Sequence, residues 1–274
     1  MRKLAPPFFT RVKHKKITLF TCNNYLQSAE QQELEALMLA NLSKTKHKRS
    51  HSIVALKSSP QERRQLFCKT QVLRHRNSRF RSTMNVLGLN TRAPAIAEIK
   101  NNLKALQTPY IPDLVGYGFE RNQYGVIKKV LIITELIEDS ITLKEFIEKN
   151  PRETKPAIAS AFNIIGKSIN DGILHLDCWI GNILTNSKLS QLHLIDLEYC
   201  RFNTRSGLSD QLIFSLGYLY GYDLNKHISS SEYFLLLEAW LKENFESLDP
   251  EEIIKGAKAT SLNIASRKQR MADF

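Results

Sequence analysis

Four polar residues in one stretch could do chemistry together. In GILHLDCWIGNILTNSKLSQLHLIDLEYC, residues 172–200, each of His175, Asp177, Asn182 and Asp196 stands beside apolar residues that would fix its backbone. Asp177 with Asn182 five positions on, then Asp196 ending an apolar run, suits phosphoryl transfer. That reaction needs an acceptor hydroxyl held in line and cations that neutralise the phosphates, and little covalent chemistry from the protein. In this reading Asp177 accepts or orients the hydroxyl proton, Asn182 and Asp196 ligate Mg²⁺ through oxygen, and His175 braces the loop. The pattern follows the H-R-D-x-x-x-x-N and D-F-G logic, with Leu176 in place of the arginine and Leu197-Glu198 in place of Phe-Gly. Any one of these residues alone would more simply cap a turn; the ordered set favours a site.

Such a site needs a lysine on a strand to grip phosphates and a helix glutamate to hold it. Lys57 ends IVALK and Lys69 lies in LFCKTQV. Lys69 is preferred, because it falls after a hairpin and before the helix that carries Glu98. Glu98 is the only acidic residue between Arg63 and Asp113, so its partner in an ion pair is nearly forced. A solvated Glu98 beside Lys104 or Arg92 is the plainer alternative.

The positioning elements follow from periodicity. ITLFTC from Ile17 reads as a strand, and residues 28–42 as a helix opened by Ser28 with Gln31 in a capping box. A basic stretch, 44–81, encloses two strand-like runs, 52–56 and 65–73, across SSPQERR, which suggests a hairpin. A helix over 93–106 and two strands, LVGYGFE and YGVIKKVLIITELI, complete a strand-rich first part with two inserted helices. From Thr142 the period turns helical, with Leu143, Phe146 and Ile147, then Ile158, Phe162, Ile165 and Ile169, on one face. Short strands around loops fill 172–202, and helices resume at Leu208. The expectation is an α+β, bilobed fold: a nucleotide-binding lobe, 1–136, with an antiparallel sheet and helix, then a mainly helical catalytic lobe, 137–274.

Composition narrows the class. A net charge of +12 and a pI near 9.5 favour polyanionic partners. Four dispersed cysteines show no zinc spacing and suit a reduced, cytoplasmic compartment. The start lacks the apolar core of a signal peptide, and no apolar run approaches the ~20 residues of a membrane span. An RNA-binding module is the non-enzyme alternative, but the aromatics sit in apolar runs, not interleaved with Lys and Arg, so nucleic acid is disfavoured. A two-metal nuclease would want more carboxylates nearby. The cluster Arg74, His75, Arg76, Arg79 and Arg81 would suit peripheral contact with an anionic membrane surface, or be a solvated helix face.

The chain resembles the lipopolysaccharide core sugar kinases, the Kdo and heptose kinase family (WaaP type, InaA-like) of the protein-kinase-like superfamily, over about 44–240. The carriers are KTKHKRSHS, LFCKTQVLRHRNSRFR, TRAPAIAE, LIITELIED, HLDCWIGNIL and LIDLEYCRF. The resemblance implies an ATP- and Mg²⁺-dependent kinase acting on a sugar hydroxyl of the lipopolysaccharide inner core, or another anionic glycolipid, at the cytoplasmic face of a Gram-negative inner membrane. It assigns Lys69 and Glu98 to the phosphate-binding ion pair, Glu135 and Ile137 to the adenine-contacting hinge, Asp177 to the base, and Asn182 and Asp196 to the metal. The chain departs from a glycine-loop kinase in having no glycine before Gly88, so the basic segment 44–52 would cover the phosphates instead. Cys178 and Trp179 follow the aspartate; Trp179 would stack on a sugar or pack, and Cys178 reads as a small packed thiol. The runner-up is a small-molecule kinase of the aminoglycoside or choline type. His227 and the tail 267–270 carry no assigned role.

Overall fold

Alternation in ITLFTC and QLFCKTQV gives each strand two apolar faces, and a strand apolar on both faces needs cover on both. In the computed structural model, which describes residues 8–23, 26–44, 48–57, 64–89, 91 and 93–274, that cover is present. The chain divides into two compact units, Met1–Ile137 and Glu138–Phe274. The first contains β1 (Phe9–His14), β2 (Ile17–Cys22), α1 (Ser28–Lys44), β3 (Arg49–Ala55), β4 (Gln65–Val72), α2 (Arg76–Val86), α3 (Pro94–Lys104), β5 (Leu114–Arg121) and β6 (Ile127–Glu135). The strands form one antiparallel sheet in the order β1-β2-β5-β6-β4-β3.

One face packs Leu19, Leu66, Cys68, Leu131 and Ile133 against Leu34, Met38 and Leu42 of α1. The other packs Phe20, Tyr117, Phe119, Val130 and Ile132 against Ile96 and Ile99 of α3. Leu34, Met38 and Leu42 are fully buried, each contributing roughly 1.5–3 kcal/mol of transfer free energy. Lys69 pairs in register with Ile132, so the period of two puts it on the α3 side of β4, opposite Leu66 and Cys68.

Three local expectations change. The first helix starts one residue differently: Glu30 sits at the third helical position and its carboxylate accepts from the Gln27 N–H at 2.8 Å, while Gln31 donates to Thr21 Oγ1 at 3.1 Å. Ser28 is therefore inside the helix, and the acid that reaches back to the backbone N–H ahead of it is Glu30, on Gln27. The first unit has three helices among its described residues, the additional one being α2, whose RNSRFRSTMNV has no apolar stripe to betray it. An edge strand, β1, was also without a clear signal, since only Phe9 of it is buried. The turn at 58–63, Arg92, and residues 45–47 of the basic segment lie outside the described residues.

The second unit follows β7 (Ile141–Thr142) with α4 (Leu143–Lys149) and α5 (Thr154–Asn170), then β8 (Ile173–His175), β9 (Ile183–Thr185), β10 (Leu192–Leu194) and β11 (Cys200–Phe202). Helices α6 (Leu208–Tyr222), α7 (Ser230–Asn244), α8 (Pro250–Leu262) and α9 (Arg267–Asp273) complete it. The expected stripe of α5 is buried, and Phe162 meets Tyr233 and Trp240 of α7 at ring separations of 5.3 and 5.5 Å. α6 lies tightly on α8 because Gly217 and Gly221 face its backbone: an added Cβ would stand 2.5 Å from Ala257 O and 2.4 Å from Ser261 O. Among the described residues no helix is long and apolar enough to cross a membrane.

Candidate active site

Two short hairpins, β8 with β11 and β9 with β10, hold the loop around Asp177. His175 ends β8 and is buried. Its Nε2 donates to Ile195 O at 2.9 Å and its Nδ1 accepts from the Asp177 N–H at 3.2 Å. Burial lowers its pKa, with Ile195 O and the carboxylates of Asp177 and Asp196 opposing, so the ring is neutral with its proton on Nε2. Both nitrogens are spent on backbone. His175 is a brace, and its ring has no nitrogen left for a reacting atom.

Asn182 closes the same loop. Its Nδ2 donates to Asp177 O at 2.8 Å, and its own backbone carbonyl accepts from the Ile195 N–H at 3.0 Å. The residue before Asp196 is thus pinned to both ends of the loop. Asp196 itself has φ 59° and ψ 55°, a left-handed conformation that a non-glycine residue adopts at a cost and that often marks a site. A carboxylate oxygen of Asp196 and one of Glu198 lie within 4.8 Å of each other.

Asp177 is buried and densely bonded. Its Oδ1 accepts from Tyr218 Oη at 2.6 Å and from both terminal nitrogens of Arg270 at 3.1 Å; Oδ2 accepts from Arg267 Nη2 at 3.0 Å. Arg270 also donates to Leu176 O and stacks on Tyr218 at 4.4 Å. These cations come from α9, which is opened by the Ser266–Gln269 capping box and docked by Arg201 donating to Met271 O at 2.5 Å and by Phe274 on Phe214 at 5.0 Å. Beside the aspartate, burial and then Asp177 itself push the Cys178 thiol up to about 12, so it is a packed, protonated thiol. Trp179 packs on Tyr222 at 5.1 Å.

In the first unit Lys69 Nζ lies 2.8 Å from Glu98 Oε1, with side chains 13% and 7% exposed. Pro94 opens α3 at a position where its fixed φ suits a helix, and Glu98 falls on the buried side of that helix between Ala95 and Ile99. Lys57 instead lies at the exposed end of β3, its N–H bonded to the Glu33 carboxylate at 2.9 and 3.0 Å. Glu135 ends β6, giving its N–H to Asp113 O at 3.0 Å and its carboxylate to Arg64. Its N–H and its carboxylate are thus both engaged within the unit. Ile137 is the last residue of the unit.

Against known families, the lipopolysaccharide kinase (Kdo/WaaP) family matches residues 32–211. The chain belongs to this family. It is a phosphotransferase, a kinase related to lipopolysaccharide, and its fold is protein-kinase-like, with an antiparallel sheet in the N-terminal part and helices in the C-terminal part. Among solved structures, WaaP in complex with acyl carrier protein shares 15% identity, over 90% of this chain and 97% of that one, with a TM-score of 0.51. A divergent kinase lacking the glycine-rich loop, which regulates membrane ultrastructure of the Toxoplasma parasitophorous vacuole, shares 13% identity over 90% and 89% at a TM-score of 0.47. The bifunctional kinase-methyltransferase WbdD shares 13% over 76% and 45% at 0.40. No curated protein matches significantly.

For this family member, sequence reasoning located the loop but missed Tyr218, Arg267 and Arg270. One signal existed: S-x-x-Q at Ser266 and Gln269 announces a helix start, which sets Arg267 and Arg270 three apart on one face. Nothing local to LGYLYGY points to Tyr218.

Proposed function

We propose that this chain transfers the γ-phosphoryl group of ATP to a sugar hydroxyl of the lipopolysaccharide inner core, on Kdo or heptose, with Asp177 as base. The observation that carries the reading is the Asp177 loop. Its Asn182 spends the amide nitrogen on Asp177 O, which leaves the amide oxygen for a cation. Together with the Asp196 carboxylate this is a hard-oxygen set, which fits Mg²⁺. The ion would supply charge neutralisation on the phosphates. Lys69, aligned by Glu98, grips the phosphates of the nucleotide; the backbone of 135–137 takes the adenine; Asp177 orients the acceptor hydroxyl and receives its proton.

The acceptor is a membrane lipid, and the first unit offers a surface for such an interface. Arg74, Arg76 and Arg81 are exposed, and Phe80, Leu87 and Leu89 beside them are 57%, 56% and 56% exposed. Cations with protruding apolar side chains suit an anionic lipid surface, each cation adding about 1 kcal/mol. This supports peripheral attachment at the inner face of the inner membrane.

The test is transfer of the ATP γ-phosphate, with Mg²⁺, to extracted lipopolysaccharide core. Wild type should transfer, and Asp177→Asn should lose roughly 10²-fold or more in kcat. Equal transfer by the variant would remove Asp177 from the role of base.

A further inference from the structure

Two guanidinium groups converge on Asp177, and they are not equivalent. Oδ1 already accepts three hydrogen bonds, from Tyr218 and from both ends of Arg270, whose side chain is 5% exposed. Oδ2 accepts one among the described residues, from Arg267, whose side chain is 55% exposed. A base must offer a lone pair to the incoming hydroxyl, so Oδ2 is the oxygen that can react. Arg267 takes up one of the two lone-pair sites of Oδ2 and compensates the carboxylate charge, so Oδ2 is freed as a base when Arg267 lets go.

On the Arg267 side the pair is open to water, which can take the guanidinium, whereas Asp177 is 5% exposed and needs the incoming hydroxyl in exchange. The released guanidinium stays close, because its plane rests 4.9 Å over the Tyr199 ring. Its charge, still felt by Glu198, then lacks its hydrogen bond to Asp177. A planar fork of N–H donors matches a carboxylate or a phosphate in two-point contact. An acceptor that carries such a group near its reactive hydroxyl satisfies both demands at once: its anion takes the arginine and its hydroxyl takes Oδ2. A neutral acceptor would strand the arginine, and an anionic acceptor without the arginine would meet the Asp177 carboxylate unshielded.

We propose that Arg267 is the acceptor-selecting residue of this site, exchanging Asp177 Oδ2 for the carboxylate or phosphate of an anionic sugar and so coupling acceptor binding to release of the base. The proposal rests on the reading of Asp177 as a kinase base. In the step it serves, the hydroxyl oxygen forms a bond to the γ-phosphorus as the bond from that phosphorus to the bridging oxygen of the leaving ADP breaks. The hydroxyl proton goes to Asp177 Oδ2.

The experiment uses the full chain, wild type beside Arg267→Gln and Arg267→Lys, with folding checked by thermal melt. Calorimetric titration with free Kdo, a sugar acid, with a phosphorylated heptose and with neutral heptose reads binding without turnover. Wild type should bind at least one anionic sugar tenfold or more tighter than neutral heptose, and which one identifies carboxylate or phosphate as the group read. Arg267→Gln should erase that preference and raise the acceptor KM at least tenfold, with the Kd for ATP unchanged, and Arg267→Lys should restore part of it. The inference is overturned if wild type shows no preference, if the preference survives in Arg267→Gln, or if Arg267→Gln turns over every acceptor faster, which would make the arginine a plug. The kinase reading fails separately, by the absence of transfer.

Discussion

The two units each hold a buried acid against a base, and they do it differently. In the first, Lys69 on β4 meets Glu98 on α3, with α2 between them in the chain. In the second, one aspartate is met by two arginines and a tyrosine drawn from helices up to 93 residues away. The Asp177 carboxylate, anchored through Oδ1 by Tyr218 and Arg270, keeps its orientation, as the proposed base of an in-line transfer requires. The difference also teaches where sequence reading reaches, since the first pair is near in chain and forced by scarcity of acids, while the second is assembled by tertiary packing.

The contrast breaks hardest at Arg270. Arg270→Met leaves the Asp177 charge buried with weaker compensation, and with both side chains 5% exposed the loss should be about 3–5 kcal/mol, read as a lowered denaturation midpoint with unchanged slope. A loss below 1 kcal/mol would mean that α9 is not docked as described. Tyr218→Phe removes one hydrogen bond to a charged oxygen and should cost less, about 1.5–3 kcal/mol, together with a fall in kcat at constant ATP affinity. A change in ATP affinity instead would assign Tyr218 to the nucleotide.

A smaller effect comes from His175. Its folded pKa lies below the ordinary 6.5 because burial disfavours the imidazolium. The unfolded chain therefore binds the proton more readily, and the stability contribution, complete above about pH 6.5, is lost as pH falls toward the folded value. Melting temperature should drop between pH 7.5 and 5.5, and His175→Asn should flatten that dependence. A wild-type curve no steeper than the variant's would show that the ring is not held neutral.

How much was legible follows the same divide. The loop was readable because its chemistry is local: Asp177 and Asn182 are five apart, and apolar flanks frame each polar residue. The Lys69–Glu98 ion pair was readable because Lys69 follows the hairpin and precedes a helix whose Glu98 is the only acid between Arg63 and Asp113. The helix α2 was not, because a helix without an apolar stripe leaves no periodic trace. The first cap was misplaced because Ser28 and Glu30 offer competing registers one residue apart, and only Glu30 is drawn inside, 4% exposed. The tail 267–270 carried no assigned role in the sequence, because no sequence pattern says which loop a terminal helix will dock on.

The central claim is that the two clusters divide one phosphoryl transfer, Lys69 serving the nucleotide and Asp177 the acceptor. It is tested most directly by measuring Mg²⁺-ATP affinity and γ-phosphate transfer on the same preparations of wild type, Lys69→Met and Asp177→Asn. The account predicts that Lys69→Met loses ATP binding and transfer together, while Asp177→Asn binds ATP like wild type and loses transfer roughly 10²-fold or more. Wild-type ATP affinity in Lys69→Met, or loss of ATP binding in a folded Asp177→Asn, would contradict it.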